Sequence, residues 1–291
     1  MITMDNMPDA FVSVIIPVFN DSRRLRICLE ALEKQTYPKG FYEIIIVDNG
    51  SAESLEPLVR EFKNAVFIRE DRPGSYTARN KGISVSRGVV IAFTDSDCIP
   101  ALDWIEKGIK NLASTANCGL VGGRIDLFLK NPDKPTAAEL YESIFAFSQK
   151  DYIEKTRFGA TANVFTFREV IEKAGLFNEN LKSSGDLEWG RRVFSKGYKQ
   201  IYADDVCVLH PARHSLHQLY RQIRRITGGN PDLNLARRLY MFAQDVFYAF
   251  SNRKLCSVVQ RFKVILVLVF REYAITIEII RLKVFMGTPI R

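Results

Sequence analysis

The 291-residue chain has no Cys-x-x-Cys pair, and its five cysteines (Cys28, Cys98, Cys118, Cys207, Cys256) are scattered, without a zinc-type spacing to the three histidines. Neither a zinc ribbon nor a disulfide framework is expected, and a reducing compartment is the simplest setting. The first ten residues carry Asp5 and Asp9 but no base, so no secretory leader is expected. Long apolar runs are missing too: the longest uncharged stretch of the C-terminal region, Val264 to Phe270, has seven residues, against the ~20 that a helical membrane span requires. The turn after the first apolar stretch, Asn20-Asp21-Ser22, is neither glycine-rich nor basic. That excludes a dinucleotide-binding dehydrogenase and disfavours a nucleotidyltransferase. Internal repeats and low-complexity tracts are absent.

What the chain does have is 47% hydrophobic residues and 25% charged ones, enough for one large core or two modest ones. Its net charge of +8 is unevenly placed. Met1 to Leu209 holds 27 Lys and Arg against 29 Asp and Glu, whereas His210 to Arg291 holds 14 against 4. A nucleic-acid surface would interleave basic and aromatic residues over the folded body, so no nucleic-acid partner is expected. An anionic membrane surface or a phosphorylated ligand suits a basic tail better.

Apolar strands alternate with amphipathic helices through the first half. Val12 to Phe19, Glu43 to Val47, Ala65 to Arg69 and Val89 to Thr94 read as buried strands. Leu25, Cys28, Leu29 and Leu32 repeat at helical spacing, and Leu55 to Phe62 and Ser75 to Ser86 read as further helices. The pattern predicts an α/β fold with an open, mostly parallel sheet flanked by helices. Beyond it, a helix over Leu102 to Leu112, a strand over Gly119 to Leu129 and one long helix over Ala137 to Ile153 are expected. A strand over Asn163 to Phe167, a helix over Arg168 to Ala174, a helix over Trp189 to Lys196 and a strand over Gln200 to Leu209 follow.

Open sheets of this type bind ligands beyond the carboxyl ends of their strands, which directs attention to Phe19-Asn20, Asp48-Asn49-Gly50-Ser51 and Asp95-Ser96-Asp97. The Asp-Ser-Asp spacing aims two carboxylates one way along a strand and suits a hard divalent cation with a diphosphate; a solvated turn is the plainer alternative. Asp48 is either an acceptor for a base or sugar edge or the anchor of an Asx-turn or helix cap. Arg79, in Gly74 to Asn80, is either a phosphate ligand or a surface ion pair. In Gly185-Asp186-Leu187-Glu188-Trp189, a carboxylate screened by Trp189 would gain proton affinity and serve as a base. Acids enriched at a helix start are the alternative. His210, in His210-Pro211-Ala212-Arg213-His214, is a candidate metal ligand or a structural imidazole.

Taken in order, Val14-Ile15-Ile16-Pro17-Val18-Phe19-Asn20, Val47-Asp48-Asn49-Gly50-Ser51, Gly74 to Asn80, Asp95-Ser96-Asp97, Gly185-Asp186 and His210 resemble family-2 glycosyltransferases over Phe11 to Gly229. The resemblance implies a GT-A fold and an inverting transfer of hexosyltransferase type, from a nucleotide-diphosphate sugar to a saccharide or lipid-linked hydroxyl. UDP is the default nucleotide, and Mn²⁺ or Mg²⁺ assists. By position, Pro17, Val18, Phe19, Asn20, Asp48, Arg79, Asp95 and Ser96 match the nucleotide-sugar pocket. Asp97 and His210 match the metal site, and Asp186 the catalytic base, with Trp189 and Glu188 on the acceptor side. Three departures stand out: Phe19 replaces a frequent Tyr, Asn49 replaces a second acid, and Gly185 replaces the Glu of a Glu-Asp pair. Gln222-Ile223-Arg224-Arg225-Ile226 resembles the QxxRW element of polymerising synthases, but Ile226 stands where the stacking tryptophan would be. Single transfers are therefore expected, with Arg213, Arg224 and Arg225 as diphosphate candidates.

The expected organisation is a catalytic domain over 1–229 and a basic helical extension over 230–291. On a helical wheel Leu255, Val259, Phe262, Leu266, Val269, Tyr273, Ile277 and Ile280 share one stripe free of charge. For 255–283 this leaves two roles open: lying in a membrane interface, or packing, including as a homo-oligomer. A cytoplasmic protein, peripheral on the inner face of the plasma membrane if the first role holds, is the expected setting. The competing function is a noncatalytic nucleotide-sugar-binding subunit of a polysaccharide assembly complex.

Overall fold

A computed structural model describes residues 10–229 and 235–284. The expected lack of a leader and the first residues of the extension, 1–9 and 230–234, lie outside the described part. The elements in chain order are β1 (Val12–Val18), α1 (Ser22–Glu33), β2 (Tyr42–Asp48), α2 (Glu56–Val59), β3 (Ala65–Arg69), α3 (Ser75–Val85), β4 (Val90–Thr94), β5 (Ile99–Pro100) and α4 (Trp104–Ser114). They continue with β6 (Cys118–Phe128), α5 (Ala137–Phe145), α6 (Gln149–Asp151), β7 (Asn163–Phe167), α7 (Arg168–Ala174), α8 (Gly185–Ser195), β8 (Lys199–Pro211), α9 (Leu216–Gly229), α10 (Leu235–Ser251) and α11 (Val258–Val284). The chain divides into two compact units.

The first unit comprises 10–126, 147–180 and 185–210. Its sheet runs in the order β3-β2-β1-β4-β7-β6-β8-β5. β1 pairs in parallel with β2 and β4, and β2 with β3; β7 then joins β4 and β6 antiparallel. The central runs Ile44 to Val47 of β2 and Val90 to Phe93 of β4 are wholly apolar because both strands are buried along their length. α1 supplies Leu25, Cys28, Leu29 and Leu32 to the core. α3 lies close on the sheet because Gly82 has no side chain; a Cβ there would sit 2.5 Å from Ile15 Cγ2. The two-residue β5 pairs antiparallel with β8, placing the segment after Asp97 beside the approach to His210.

The one long helix expected over Ala137 to Ile153 is two. α5 stops at Phe145, the backbone turns extended at Ala146, Phe147 takes φ +52°, and helix resumes at Gln149. The break gives Phe147 a ring contact with His210, 4.6 Å between centroids. Apolar periodicity carries straight through this segment, so nothing in it announces the stop.

The second unit comprises 127–146, 181–184 and the described part of 211–284. α5 opens with a capping box between Thr136 and Glu139. α11 packs on α5, α9 and α10 through Val264, Val267, Leu268 and Ala274, all buried. Three ion pairs fasten it. The wholly buried Glu278 receives Arg224 of α9 at 2.6 Å and also Arg281; Glu272 receives Arg238 of α10 at 3.0 Å; and Arg271 reaches Asp245 at 2.8 Å. No helix of the described residues is long and apolar enough to cross a membrane.

Candidate active site

β4 ends at Thr94, and the Cys98 amide then donates to the Asp95 carbonyl at 3.1 Å, closing a turn. The alternation that would aim Asp95 and Asp97 together stops short of them, so the two carboxylates go to different partners. Asp95 Oδ1 accepts from Arg79 Nη2 at 2.5 Å. Asp97 Oδ1 lies 3.5 Å from Nε2 of the buried His210, and its Oδ2 lies 3.3 Å from Arg24 Nη1. Burial pushes the Asp97 carboxyl up; His210 and Arg24 pull the other way, and the charge of Asp95 adds to the rise. Ser96 is buried within the turn.

Arg79 is no surface residue. It is 4% exposed on α3, and its Nε is buried with no hydrogen-bond partner. Its charge is felt by Asp186 at the start of α8. Asp186 Oδ1 accepts from its neighbour's backbone, Leu187 N–H, at 3.0 Å and from Tyr76 Oη at 3.4 Å. Burial pushes this carboxyl up, and the Leu187 N–H and Arg79 only partly offset it. Tyr76 is itself buried, stacked on Phe177 at 5.8 Å, with its phenol pushed up to about 12, first by burial and then by the Asp186 charge. The ring that accompanies Asp186 is thus Tyr76. Trp189, expected in that role, is 1% exposed, packs on Phe177 at 5.1 Å and donates Nε1–H to the Gly175 carbonyl at 3.0 Å.

Gly185 follows from the same arrangement. A Cβ at this position would stand 2.6 Å from Tyr76 Cε2, so the glutamate of a Glu-Asp pair has no room here.

Asp48, in register with Val18 across β1 and β2, is buried; Oδ1 accepts from Ser51 N–H at 2.9 Å and Oδ2 lies 3.5 Å from Arg69. The Ser51 bond, made three residues on, is a local anchor that shapes the strand end. Ser51 Oγ in turn accepts from Asn20 N–H at 2.8 Å. Pro17 is half-buried, Val18 buried and Phe19 46% exposed at this rim. Asn49 explains its own departure from an acid pair. Its Nδ2 donates to the Glu70 and Arg72 carbonyls at 2.9 and 2.8 Å, and its Oδ1 accepts from Gly74 N–H at 2.8 Å. A carboxylate could make only the last of these.

One donor atom each from Asp97, Cys98 and His210 lies within 4.8 Å of the others. The carboxylate suits Mn²⁺ or Mg²⁺, ions that complete their shell with water and phosphate oxygen, and the imidazole favours Mn²⁺ of the two. Cys98 is a poorer member: it is wholly buried, directs Sγ to the Ala162 carbonyl at 3.8 Å, and burial pushes its thiol well up.

The family model for "Glycosyl transferase family 2" matches residues 13–175. Over 219 residues the chain is 40% identical to glycosyltransferase AglE of Haloferax volcanii, an alignment covering 74% of this chain and 71% of AglE. The chain belongs to glycosyl transferase family 2. Among other members, chondroitin synthase of Pasteurella multocida is 27% identical across 64% of this chain, which spans only 23% of that enzyme. Two solved structures share the fold. Mannosyltransferase PcManGT from Pyrobaculum calidifontis, in complex with GDP-Man and Mn²⁺, has a TM-score of 0.60 at 18% identity, covering 96% of this chain and 76% of its own. S. aureus TarS 1-349 in complex with UDP-GlcNAc has a TM-score of 0.54 at 17% identity, covering 91% and 81%. The expected GT-A type α/β sheet is thereby shown, and the chain is a glycosyltransferase by family.

Within this glycosyltransferase most of the remaining candidates are held by partners of their own. Glu188 pairs with Arg192 one turn along α8, at 2.5 Å. Arg213 and Arg224 belong to the second unit, each held by a buried carboxylate, Glu142 at 2.8 Å and Glu278 at 2.6 Å, and the half-buried Arg225 follows Arg224 on α9. Arg24 and Tyr76 escaped the sequence reading. Arg24 sits in the first helical turn after Asn20-Asp21, an offset from the strand end that could have drawn notice; Tyr76 carries no such signal.

Proposed function

We propose that this family-2 member is an inverting transferase that moves a single sugar from a nucleotide-diphosphate sugar to a saccharide or lipid-linked hydroxyl, with Asp186 as general base. What carries the reading is Asp186 itself, a half-buried carboxylate at the start of α8 that lies 3.4 Å from Tyr76 Oη and feels the charges of Arg79 and Asp95, with its proton affinity raised. A sugar hydroxyl is a weak nucleophile at neutral pH, and one carboxylate within reach of its proton contributes on the order of 10²–10⁴-fold. A single displacement needs no second carboxylate to form a covalent intermediate. Arg79 and Asp95 line the nucleotide-sugar side, with Pro17 to Asn20 and Asp48 forming the base and ribose rim. Asp97 and His210 would hold Mn²⁺ or Mg²⁺, which when bound offsets the charge of the departing diphosphate. UDP-sugars remain the first donors to try, and the GDP-Man and UDP-GlcNAc bound by the two solved relatives justify trying both nucleotides.

On this reading catalysis belongs to 1–229 in the cytoplasm, and the extension over 230–291 attaches it to a surface. Ile226, in place of a stacking tryptophan, supports one transfer per encounter; long homopolymer made by this protein alone would contradict that. The experiment is a donor screen by thermal shift with UDP-, GDP- and dTDP-sugars, with and without Mn²⁺, followed by Asp186→Asn with the donor that stabilises. Loss of transfer with donor binding kept supports the base. Equal behaviour of both proteins, with no transfer from either, identifies a noncatalytic nucleotide-sugar-binding subunit instead.

A further inference from the structure

α11 is apolar on two opposite faces, and only one of them is used inside the second unit. Val264, Val267, Leu268 and Ala274 turn inward, whereas Phe262, Leu266, Val269, Tyr273, Ile277 and Ile280 are all exposed, Leu266 by 69%. These six belong to the stripe read from the helical wheel. Of that stripe Leu255, which precedes the helix, is buried. Among the described residues, the eleven exposed positions of α11 comprise eight apolar residues, Thr276 and two lysines, Lys263 and Lys283, with no acid among them. At 27 residues, the helix is roughly 40 Å long, so the stripe is a ridge and not an isolated patch. α10 adds exposed aromatics, with Phe247 at 74% and Tyr240 at 65%.

The acids of the two helices are spoken for. Asp245, Glu272 and Glu278 each meet an arginine of the same unit. Arg237 of α10, Arg253 and Lys254 of the connecting segment, and Lys263 of α11 are exposed. The exposed surface therefore combines an apolar ridge with cationic borders and carries no exposed carboxylate among its described residues. A second copy of this chain would bring the same cations against these, whereas a bilayer bearing anionic headgroups matches both features at once.

We propose that the exposed ridge of α11, with the aromatic face of α10, seats in the interface of an anionic lipid bilayer. The cations meet lipid phosphates while the apolar side chains enter the acyl boundary. This is independent of whether Asp186 is a base, since it concerns a surface and not the chemistry.

The test floats the full-length protein with vesicles of phosphatidylcholine alone and with vesicles of phosphatidylglycerol and phosphatidylcholine in equal parts. Phe262→Ser/Leu266→Ser/Tyr273→Ser removes exposed side chains only, so its melting temperature should match wild type, and it serves as the paired variant. The expected result is flotation with the anionic vesicles, weaker flotation with the neutral ones, partial release by salt and at least a tenfold loss of vesicle affinity in the variant. Wild type that stays in solution with both vesicle types overturns the proposal. So does a concentration-dependent dimer that the variant converts to monomer without any change in vesicle binding, which would identify a second copy as the occupant. Should the variant prove unstable, Arg237→Glu/Lys263→Glu gives the same reading through the cationic border. Unchanged flotation of that variant with anionic vesicles would overturn the electrostatic part.

Discussion

Tyr76 Oη lies 3.4 Å from Asp186 Oδ1, and the same tyrosine ring fills the space that a side chain at position 185 would need. One residue on α3 thus both touches the candidate base and dictates the glycine before it. Because a donor to a carboxylate favours its ionised form, removing the hydroxyl should raise the proton affinity of Asp186 further. In Tyr76→Phe, which keeps the ring, the acidic limb of the kcat–pH profile should move to higher pH. A limb that stays put or moves down would show that the hydroxyl does not act on the carboxylate.

Asp186→Asn should separate catalysis from stability. Burial raises the folded-state pKa of Asp186 above its unfolded value, so the folded form holds the proton more tightly than the unfolded chain does. Stability from this group is complete at pH below the unfolded pKa and declines as pH rises through the raised folded pKa. The neutral amide escapes that decline. Melting temperatures should therefore show the variant at or above wild type at neutral pH, with the gap closing in acid. Transfer should fall by on the order of 10²–10⁴-fold.

Gly185→Ala should be costly out of proportion to one methyl group. With the Cβ 2.6 Å from the Tyr76 ring, the ring must move, at about 1–3 kcal/mol for overpacking. Urea denaturation of Gly185→Ala, Tyr76→Ala and the double variant tests the coupling. A double variant less destabilised than the sum of the single changes is expected, and strict additivity would argue against the contact.

Asn49→Asp sets a second acid beside Asp48 and should destabilise. It loses both donor bonds to the Glu70 and Arg72 carbonyls and sets a charge against them, at roughly 1–3 kcal/mol for the unsatisfied buried groups. Chemical denaturation should show a lower midpoint with an unchanged slope.

For the metal, dialysis against EDTA should abolish transfer, and Mn²⁺ should restore it. His210→Ala should need a higher Mn²⁺ concentration for half-maximal donor binding, whereas Cys98→Ser should leave that concentration unchanged, since the thiol turns to the Ala162 carbonyl. Calorimetry of donor binding across a Mn²⁺ series reads both.

The parallel half of the sheet was legible because a strand buried on both faces must be apolar throughout, and Ile44 to Val47 and Val90 to Phe93 are. The polar residues that follow such runs stand out for the same reason, which is how Asp48, Asp95 and Asp97 could be singled out. Side-chain partners were less legible. Trp189 stands three residues from Asp186 and looked like its screen, while Tyr76, 110 positions away, is the ring in contact. Long-range packing of that kind leaves no local trace. Phe147 shows the opposite difficulty: its neighbours keep helical apolar spacing, so the break that carries it to His210 is invisible to periodicity. α11 defeated the wheel in a third way, since a helix apolar on two sides shows a stripe without saying which side is covered.

Glu278 settles how far α11 could ever accommodate itself. Its carboxylate is sealed from water with Arg224 and Arg281 as partners, and parting a buried pair of this type costs about 3–5 kcal/mol. The helix is in effect keyed like a shaft in its housing. Rolling the oily ridge out of sight is not an escape open to the folded chain, so in water alone this protein should be a poor lodger, sticking to surfaces and detergents until some other body shelters that edge.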